Sequence, residues 1–204
     1  MKNENKQKMA HLLAHLIRED NVIEFIKYIN KNDISLSSQI KPSIFERSPL
    51  LLQNDPTLIE YAAFCGSIQI FNYLRTNKVE LKPSLWIYGI HSNNEEIIYL
   101  IEESKIEPPE SSFINCLTES IKCHHNGITE YIKNALMGDE QEYITDETFC
   151  KSIFQSCNYK EIPEDLNNNY LFFFASWYEF SELVNLYLKP KIDDVKAKIT
   201  DKTE

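Results

Sequence analysis

The stretch EYAAFCGSIQIFNYL, residues 60–74, predicts two short helices joined by a tight turn. Thr57 precedes Glu60 by three residues, which is the spacing of a capping box at the start of a helix. Gly66 lies where that helix must end, because glycine readily adopts the left-handed conformation that closes a helix. The sequence therefore predicts a first helix that begins after Thr57 and ends at Gly66.

An apolar stripe follows this glycine at helical spacing. Ile68, Phe71 and Leu74 share one face of the second helix, and Ile70 and Tyr73 lie beside them. Such a stripe is too wide for one helix to bury alone. Stacked neighbours of the same kind would bury it, and this arrangement is typical of a helical solenoid.

The same unit recurs along the chain at unequal spacing. An offset of 45 residues pairs Gly66–Leu81 with Asn21–Leu36, an offset of 27 extends the pattern beyond Pro83, and a further 31 residues extends it again. An offset of 113 aligns Leu58–Arg75 with Leu171–Leu188. Residues 139–169 fit less well, because they resemble one helix running into Ile162-Pro163 without a first-helix partner.

We therefore predict an all-α fold in which helix-turn-helix repeats stack within a single domain, residues 1–188. The expected units lie near residues 10–36, 57–81, 84–107, 113–137, 146–163 (a partial unit) and 168–188. The last segment, KPKIDDVKAKITDKTE (residues 189–204), is expected to be a solvated charged tail.

Residues 57–74 resemble the ankyrin consensus in the paired alanines Ala62-Ala63, in Gly66 and in the apolar helix that follows. The Thr-Pro-Leu-His start of that consensus is missing, and the spacings of 27 and 31 residues are shorter than the usual repeat of about 33. The resemblance therefore implies an ankyrin-like helical solenoid with shortened or missing β-hairpin fingers.

The segments IEYAAFCGSIQIFNYL, PSLWIYGIHSNN and ESIKCHHNGITEYI are more closely similar to divergent ankyrin-repeat-like proteins expanded in trichomonad protists, which carry a domain of unknown function. The likeness covers about residues 10–190. That family has no assigned catalytic residues, so the resemblance implies a non-enzymatic protein-binding scaffold without a cofactor.

Charge and composition narrow the classes of partner. The chain has 21 Lys and Arg against 31 Asp and Glu, a formal net charge of −10, and an acidic chain repels phosphates. Nucleic acid and membrane are therefore not expected as partners. The N-terminus lacks the apolar run of a signal peptide, and the five cysteines are odd in number, which favours reduced thiols and a cytoplasmic location, with the nucleus left open.

Several residues could in principle carry metal or thiol chemistry. His11 and His15 have the one-turn spacing of two metal ligands, but Leu12 stands where a zincin has glutamate. A second set has seven-residue spacings that favour half-buried helix faces over a zinc site, namely Cys116, Cys123, His124, His125, Cys150 and Cys157. We predict no metal, no cofactor and no catalytic residue; a metal-dependent or thiol enzyme is the weaker alternative.

The ankyrin resemblance implies where a partner binds. In that pattern the positions four and seven residues after the first-helix cap point towards the concave side. The earlier position corresponds to Tyr61, Tyr88, Glu119 and Phe174, and the later one to Phe64, His91, Lys122 and Trp177. We expect partial exposure and partner contact for Tyr61, Tyr88, His91 and Trp177, whereas Phe174 is expected to fill the core.

The function predicted from the sequence is thus protein–protein interaction by a monomeric scaffold through this concave face. A purely structural spacer, or a cap of a longer repeat array, is the alternative from a different class. An aromatic groove would favour partner binding, and a groove lined by short polar side chains would favour the spacer.

Overall fold

Helices make up the regular secondary structure that a computed structural model describes for residues 2–41, 47–138, 147–163 and 169–189, with side chains from residue 10 onward. These described residues contain no β-strand. The predicted all-α class is confirmed at this level. The chain divides into two compact units, Met1–Ser112 and Phe113–Glu204, called here the N-terminal and the C-terminal unit.

In its described residues the N-terminal unit contains three helical hairpins and one short connecting helix. Its helices are α1 (Lys2–Arg18), α2 (Val22–Lys31), α3 (Pro49–Gln53), α4 (Leu58–Cys65), α5 (Ile68–Thr76), α6 (Leu85–His91) and α7 (Glu95–Glu103). A 3₁₀ turn at Pro109–Ser111 ends the unit. The hairpins are α1–α2, α4–α5 and α6–α7.

The C-terminal unit continues the alternation in a less regular form. Its helices are α8 (Ile114–Lys122), α9 (Asn126–Tyr131), α10 (Glu147–Ser156), α11 (Asn169–Trp177) and a helix over residues 181–189, called α12. A π-helical turn, Ile132–Leu136, extends α9, and a 3₁₀ turn, Tyr159–Glu161, follows α10.

The turn after each first helix contains one residue in the left-handed conformation, with φ between 47° and 72°. These residues are Asp20, Gly66, Asn93, His124, Cys157 and Glu179. At five of these turns the next backbone N–H donates to the carbonyl five residues earlier, over 2.8–3.1 Å: Asn21 to Leu16, Ser67 to Ala62, His125 to Ser120, Asn158 to Ile153, and Phe180 to Ala175. This bond closes the last turn of the helix and satisfies a carbonyl that would otherwise lack a partner.

The spacing of these turns follows the offsets seen in the sequence. Gly66, Asn93 and His124 are separated by 27 and then 31 residues, and Glu179 lies 113 residues after Gly66. Asp20 lies 46 residues before Gly66, one more than the offset of 45. The sequence alignment of the first repeat was set by second-helix residues, so it placed the first helix one position out of register.

First helices form a row in the N-terminal unit, where α4 packs between α1 and α6 and α2 packs on α5. Small residues allow close packing: Ala62 of α4 is fully buried, and a Cβ on Gly89 of α6 would lie 2.6 Å from Ile101 Cδ1 of α7. Side chains in the turns tie neighbouring hairpins together. Both Asp20 carboxylate oxygens accept backbone N–H groups at the start of α5, from Gln69 and Ile70, over 2.9 Å.

In the C-terminal unit α10 lies in the row of first helices, with contacts to both α8 and α11. The sequence had suggested a second helix running to Ile162-Pro163, and that assignment is wrong. The helix ends at Ser156 because Cys157 turns the chain, and in the described residues that follow, up to residue 163, a 3₁₀ turn stands where a second helix was expected. Asn158 anchors this turn, since its side-chain amide donates to the carbonyl of Ile121 over 3.0 Å.

Among the described residues between α2 and α4, one antiparallel bridge joins Gln39 and Thr57. Ile40 N–H donates to the Pro56 carbonyl over 2.7 Å, and Leu58 N–H donates to the Ser38 carbonyl over 3.1 Å. The expected unit near residues 146–163 begins one residue outside the described residues, and residues 190–204 of the expected tail lie entirely outside them.

Candidate protein-interaction surface

The position four residues after the cap is buried in α4 and α6. Tyr61 is 3% exposed and Tyr88 4%. The guanidinium carbon of Arg18 lies 5.7 Å from the centroid of the Tyr61 ring and covers it from α1. The expected partial exposure of these two tyrosines is therefore wrong, because adjacent first helices close over this position.

Burial also changes the acidity of Tyr88. The loss of solvent around its hydroxyl, and secondarily the negative charge of Glu60, raise the pKa of Tyr88 to about 12. The ring thus stays neutral far above neutral pH and acts as a supporting part of the surface.

The position seven residues after the cap forms the accessible edge of the row. Phe64 and His91 are half-buried, and their rings stack with centroids 5.5 Å apart and planes inclined by 28°. The Tyr61 ring also stacks on Phe64, with ring centroids 6.5 Å apart. Together with Arg18 these rings form a continuous series across three consecutive first helices, called here the ring series (Arg18, Tyr61, Phe64, His91).

Sequence reasoning missed the members of this surface that α1 contributes. With the turns aligned, His15 and Arg18 occupy the two groove positions of the first repeat, and both are exposed. The sequence contained a signal for these two residues, because both are basic and lie about one turn apart at the end of α1, just before the turn at Asp20. The offset of 45 residues is one residue too short, so it did not align these two residues with the groove positions of the next repeat.

The other four predicted residues lie in the C-terminal unit and form no comparable series. Lys122 is exposed and pairs with half-buried Glu119 over 3.2 Å within α8. Phe174 is buried, as expected, and stacks on Phe154 with ring centroids 6.4 Å apart. Trp177 is 71% exposed, so the expected exposure of this residue is confirmed.

Several residues considered as metal ligands or nucleophiles differ in their exposure and in their contacts. His11 and His15 are exposed on α1, whereas Cys116 and Cys150 are fully buried in α8 and α10. His124 Nε2 hydrogen-bonds the carbonyl of Ser156 over 2.8 Å and so connects two turns of the C-terminal unit.

A polar cleft of about 360 Å³ lies beside the bridge between Gln39 and Thr57 in the N-terminal unit. It is lined by Ser37, Ser38, Gln39, Thr57, Val79, Glu80 and Lys82. Lys82 Nζ lies 4.0 Å from a Glu80 carboxylate oxygen, and both side chains are exposed. Because water solvates both charges, this ion pair contributes little to stability.

The chain matches no protein-family model, and searches of curated proteins and of solved structures find no similar protein. None of the helices in the described part of the chain has the length and apolar character needed to cross a membrane.

Proposed function

We propose that this protein is a non-enzymatic, ankyrin-like interaction module that binds a protein segment along the ring series of the N-terminal unit. The observation that supports the proposal is the ring series itself. It places an exposed guanidinium, two stacked rings and a half-buried imidazole on three consecutive first helices.

These side chains are of the types that dominate binding energy. Arginine and aromatic residues are enriched among interface hot spots. Aromatic rings bury large surfaces with few rotatable bonds, and the planar guanidinium of arginine donates several hydrogen bonds and stacks on rings. Phe64 and His91 are partly exposed and so accessible to a partner, and buried Tyr61 stacks on Phe64. A partner segment lying across the row would desolvate the rings and contact the Arg18 guanidinium.

Alanine substitution of Tyr61 or Tyr88 cannot test this proposal cleanly, because both tyrosines are core residues. The test uses Arg18→Ala with Phe64→Ala in one variant. The matched control removes one cation and one ring from second helices, by Lys31→Ala with Tyr99→Ala; Tyr99 is 61% exposed on α7 and Lys31 is exposed at the end of α2.

Wild type and both variants are used as bait in the native cell lysate, and captured proteins are identified by mass spectrometry. The variant with Arg18→Ala and Phe64→Ala is expected to lose a partner that wild type and the control retain. Its affinity for that partner should be at least about tenfold weaker, because truncating a hot-spot residue costs more than about 1.4 kcal/mol of binding free energy. Equal capture by both variants would place the binding surface elsewhere, and no specific capture by wild type would favour the spacer.

A further inference from the structure

Charge is distributed unevenly among the helices of the N-terminal unit. The sequence of α1 contains three lysines and one arginine against one glutamate, a formal charge of +3, whereas the whole chain has −10. The second helix α7 contains four glutamates and neither lysine nor arginine. Among the described helices of this unit, the most basic one is therefore a first helix, and first helices also contribute the ring series.

The last two turns of α1 present basic side chains to solvent. His11, His15 and Arg18 are all exposed, and their spacing of four and then three residues places them on one side of the helix. These three residues are called here the basic stripe. Two acids follow directly in the turn: Glu19 is exposed, whereas the Asp20 carboxylate accepts the N–H groups at the start of α5.

The neighbouring first helices α4 and α6 contain one acidic residue between them, Glu60. This residue is 7% exposed, and its carboxylate accepts hydrogen bonds from Thr57 and Ser84. Its charge is therefore buried within the row of helices. Among the described side chains of α1, α4 and α6, the exposed one with a permanent charge is Arg18.

Arg18 lies where the basic stripe meets the rings. Its guanidinium carbon is 5.7 Å from the centroid of the Tyr61 ring. A guanidinium that lies over a ring contacts it with its flat face, and its five N–H donors lie at the edge in a geometry that matches a carboxylate. The stacked rings of Phe64 and His91 follow on the next two first helices. The surface thus changes from cationic on α1 to aromatic on α4 and α6.

We propose that the protein segment bound along the ring series carries carboxylate side chains where it crosses α1, and a large apolar or aromatic side chain where it crosses α4 and α6. This inference rests on the proposed function and specifies the chemistry of its partner. Carboxylates are favoured at the basic stripe by opposite charge and by the donor geometry of Arg18, whereas a lysine-rich segment would be repelled there. A ring of the partner would bury apolar surface against Phe64.

The attraction of an acidic segment has to be local. The chain as a whole repels it, because the formal net charge is −10. Salt at physiological concentration screens exposed charges beyond about 8 Å, so the charges that a bound segment contacts directly have the largest effect on its affinity. At α1 those charges are basic.

Selection from a random peptide display library on the full-length protein tests the composition of the bound segment. Selected peptides are sorted by whether they also bind Phe64→Ala, so that those requiring the ring series are kept; Phe64→Leu takes its place if thermal unfolding shows that the alanine variant is not folded. The peptides that are kept are expected to be rich in aspartate and glutamate beside an aromatic or large aliphatic residue. Fluorescence anisotropy then gives their dissociation constants.

Three exposed positions separate the basic stripe from charge elsewhere. Arg18→Gln is expected to weaken binding of these peptides about tenfold at low salt, and the difference should shrink at high salt because salt screens exposed charges. His15→Gln should act in the same direction with a smaller effect. The matched control Lys31→Gln removes an exposed cation at the end of α2 and should keep the wild-type affinity.

The outcomes distinguish this inference from the proposed function. Peptides that require Phe64 but are neutral or basic would overturn the inference and leave the proposed function standing, and so would acidic peptides that bind Arg18→Gln as tightly as wild type. If no selected peptide requires Phe64, the proposed function fails and the inference fails with it.

Discussion

Glu60 forms hydrogen bonds with residues of two adjacent hairpins. The residue is 7% exposed, and its carboxylate accepts hydrogen bonds from Thr57 N–H over 2.7 Å, from the Thr57 hydroxyl over 2.8 Å and from the Ser84 hydroxyl over 2.5 Å. Because a buried charge is costly without partners, these three bonds explain why the carboxylate is tolerated. The capping box between Thr57 and Glu60 was predicted from the sequence and is confirmed.

The pKa of Tyr88 gives a test at high pH. It is raised from its ordinary value of about 10 to about 12, so the folded state favours the neutral ring. The stabilisation is fully present below about pH 10 and is lost as the pH rises towards about 12. We expect the free energy of unfolding, measured with urea between these pH values, to fall less steeply for Tyr88→Phe than for wild type. Tyr99→Phe, at an exposed position, should keep the wild-type slope, and identical slopes for all three proteins would show that Tyr88 does not carry the effect.

The turns illustrate what the sequence could and could not predict at single residues. Gly66 was recognised because glycine adopts positive φ without a steric penalty. The same left-handed conformation at Cys157 could not be recognised from the residue type, because any residue with a side chain adopts it at a cost of roughly 1–2 kcal/mol in conformational energy. It is held by tertiary contacts, including the Asn158 amide bonded to a carbonyl of α8. A turn stabilised by a neighbouring hairpin cannot be identified from its own residues.

At the scale of the helix, the two groove positions behave differently. The position four residues after the cap is buried in α4, α6 and α11, whereas the position seven residues after it is exposed or half-buried in the same helices. The ankyrin resemblance implied that both positions face the same side of the first helix. It could not predict their burial, which depends on how closely the adjacent first helix approaches.

Leu74 tests the packing of the second helices. It is fully buried in α5, so Leu74→Asp would place a carboxylate in the core without a partner. We expect a loss of about 3–5 kcal/mol in the free energy of unfolding, measured by chemical denaturation. Leu52→Asp is the matched control, because Leu52 is 55% exposed in α3, and it should change stability by about 0.5 kcal/mol or less. Equal effects of the two substitutions would mean that Leu74 does not lie in the core.

At the scale of the whole molecule, the repeat pattern predicted helices over nearly the full described chain, but it did not predict a division near Ser112. Each unit has its own set of fully buried large side chains, with Trp86, Phe25 and Phe71 in the N-terminal unit and Phe149 and Phe154 in the C-terminal unit. The periodicity of apolar residues indicates which side of one helix is buried. It does not report which hairpins share a core, because that depends on packing between residues distant in sequence.

We expect each of the two compact units to open by itself. Local opening of native proteins occurs in contiguous cooperative units. We therefore expect Leu74→Asp to accelerate native-state amide hydrogen exchange in α4–α7, by about a hundredfold for a loss of about 3 kcal/mol, while amides of α8 and α10 keep their wild-type rates. Ile153→Asp, at a fully buried position of α10, should have the reciprocal effect. Mass spectrometry of peptides from the exchanged protein measures both sets of amides in one experiment, and acceleration of both units by either substitution would show that the chain opens as a single cooperative unit.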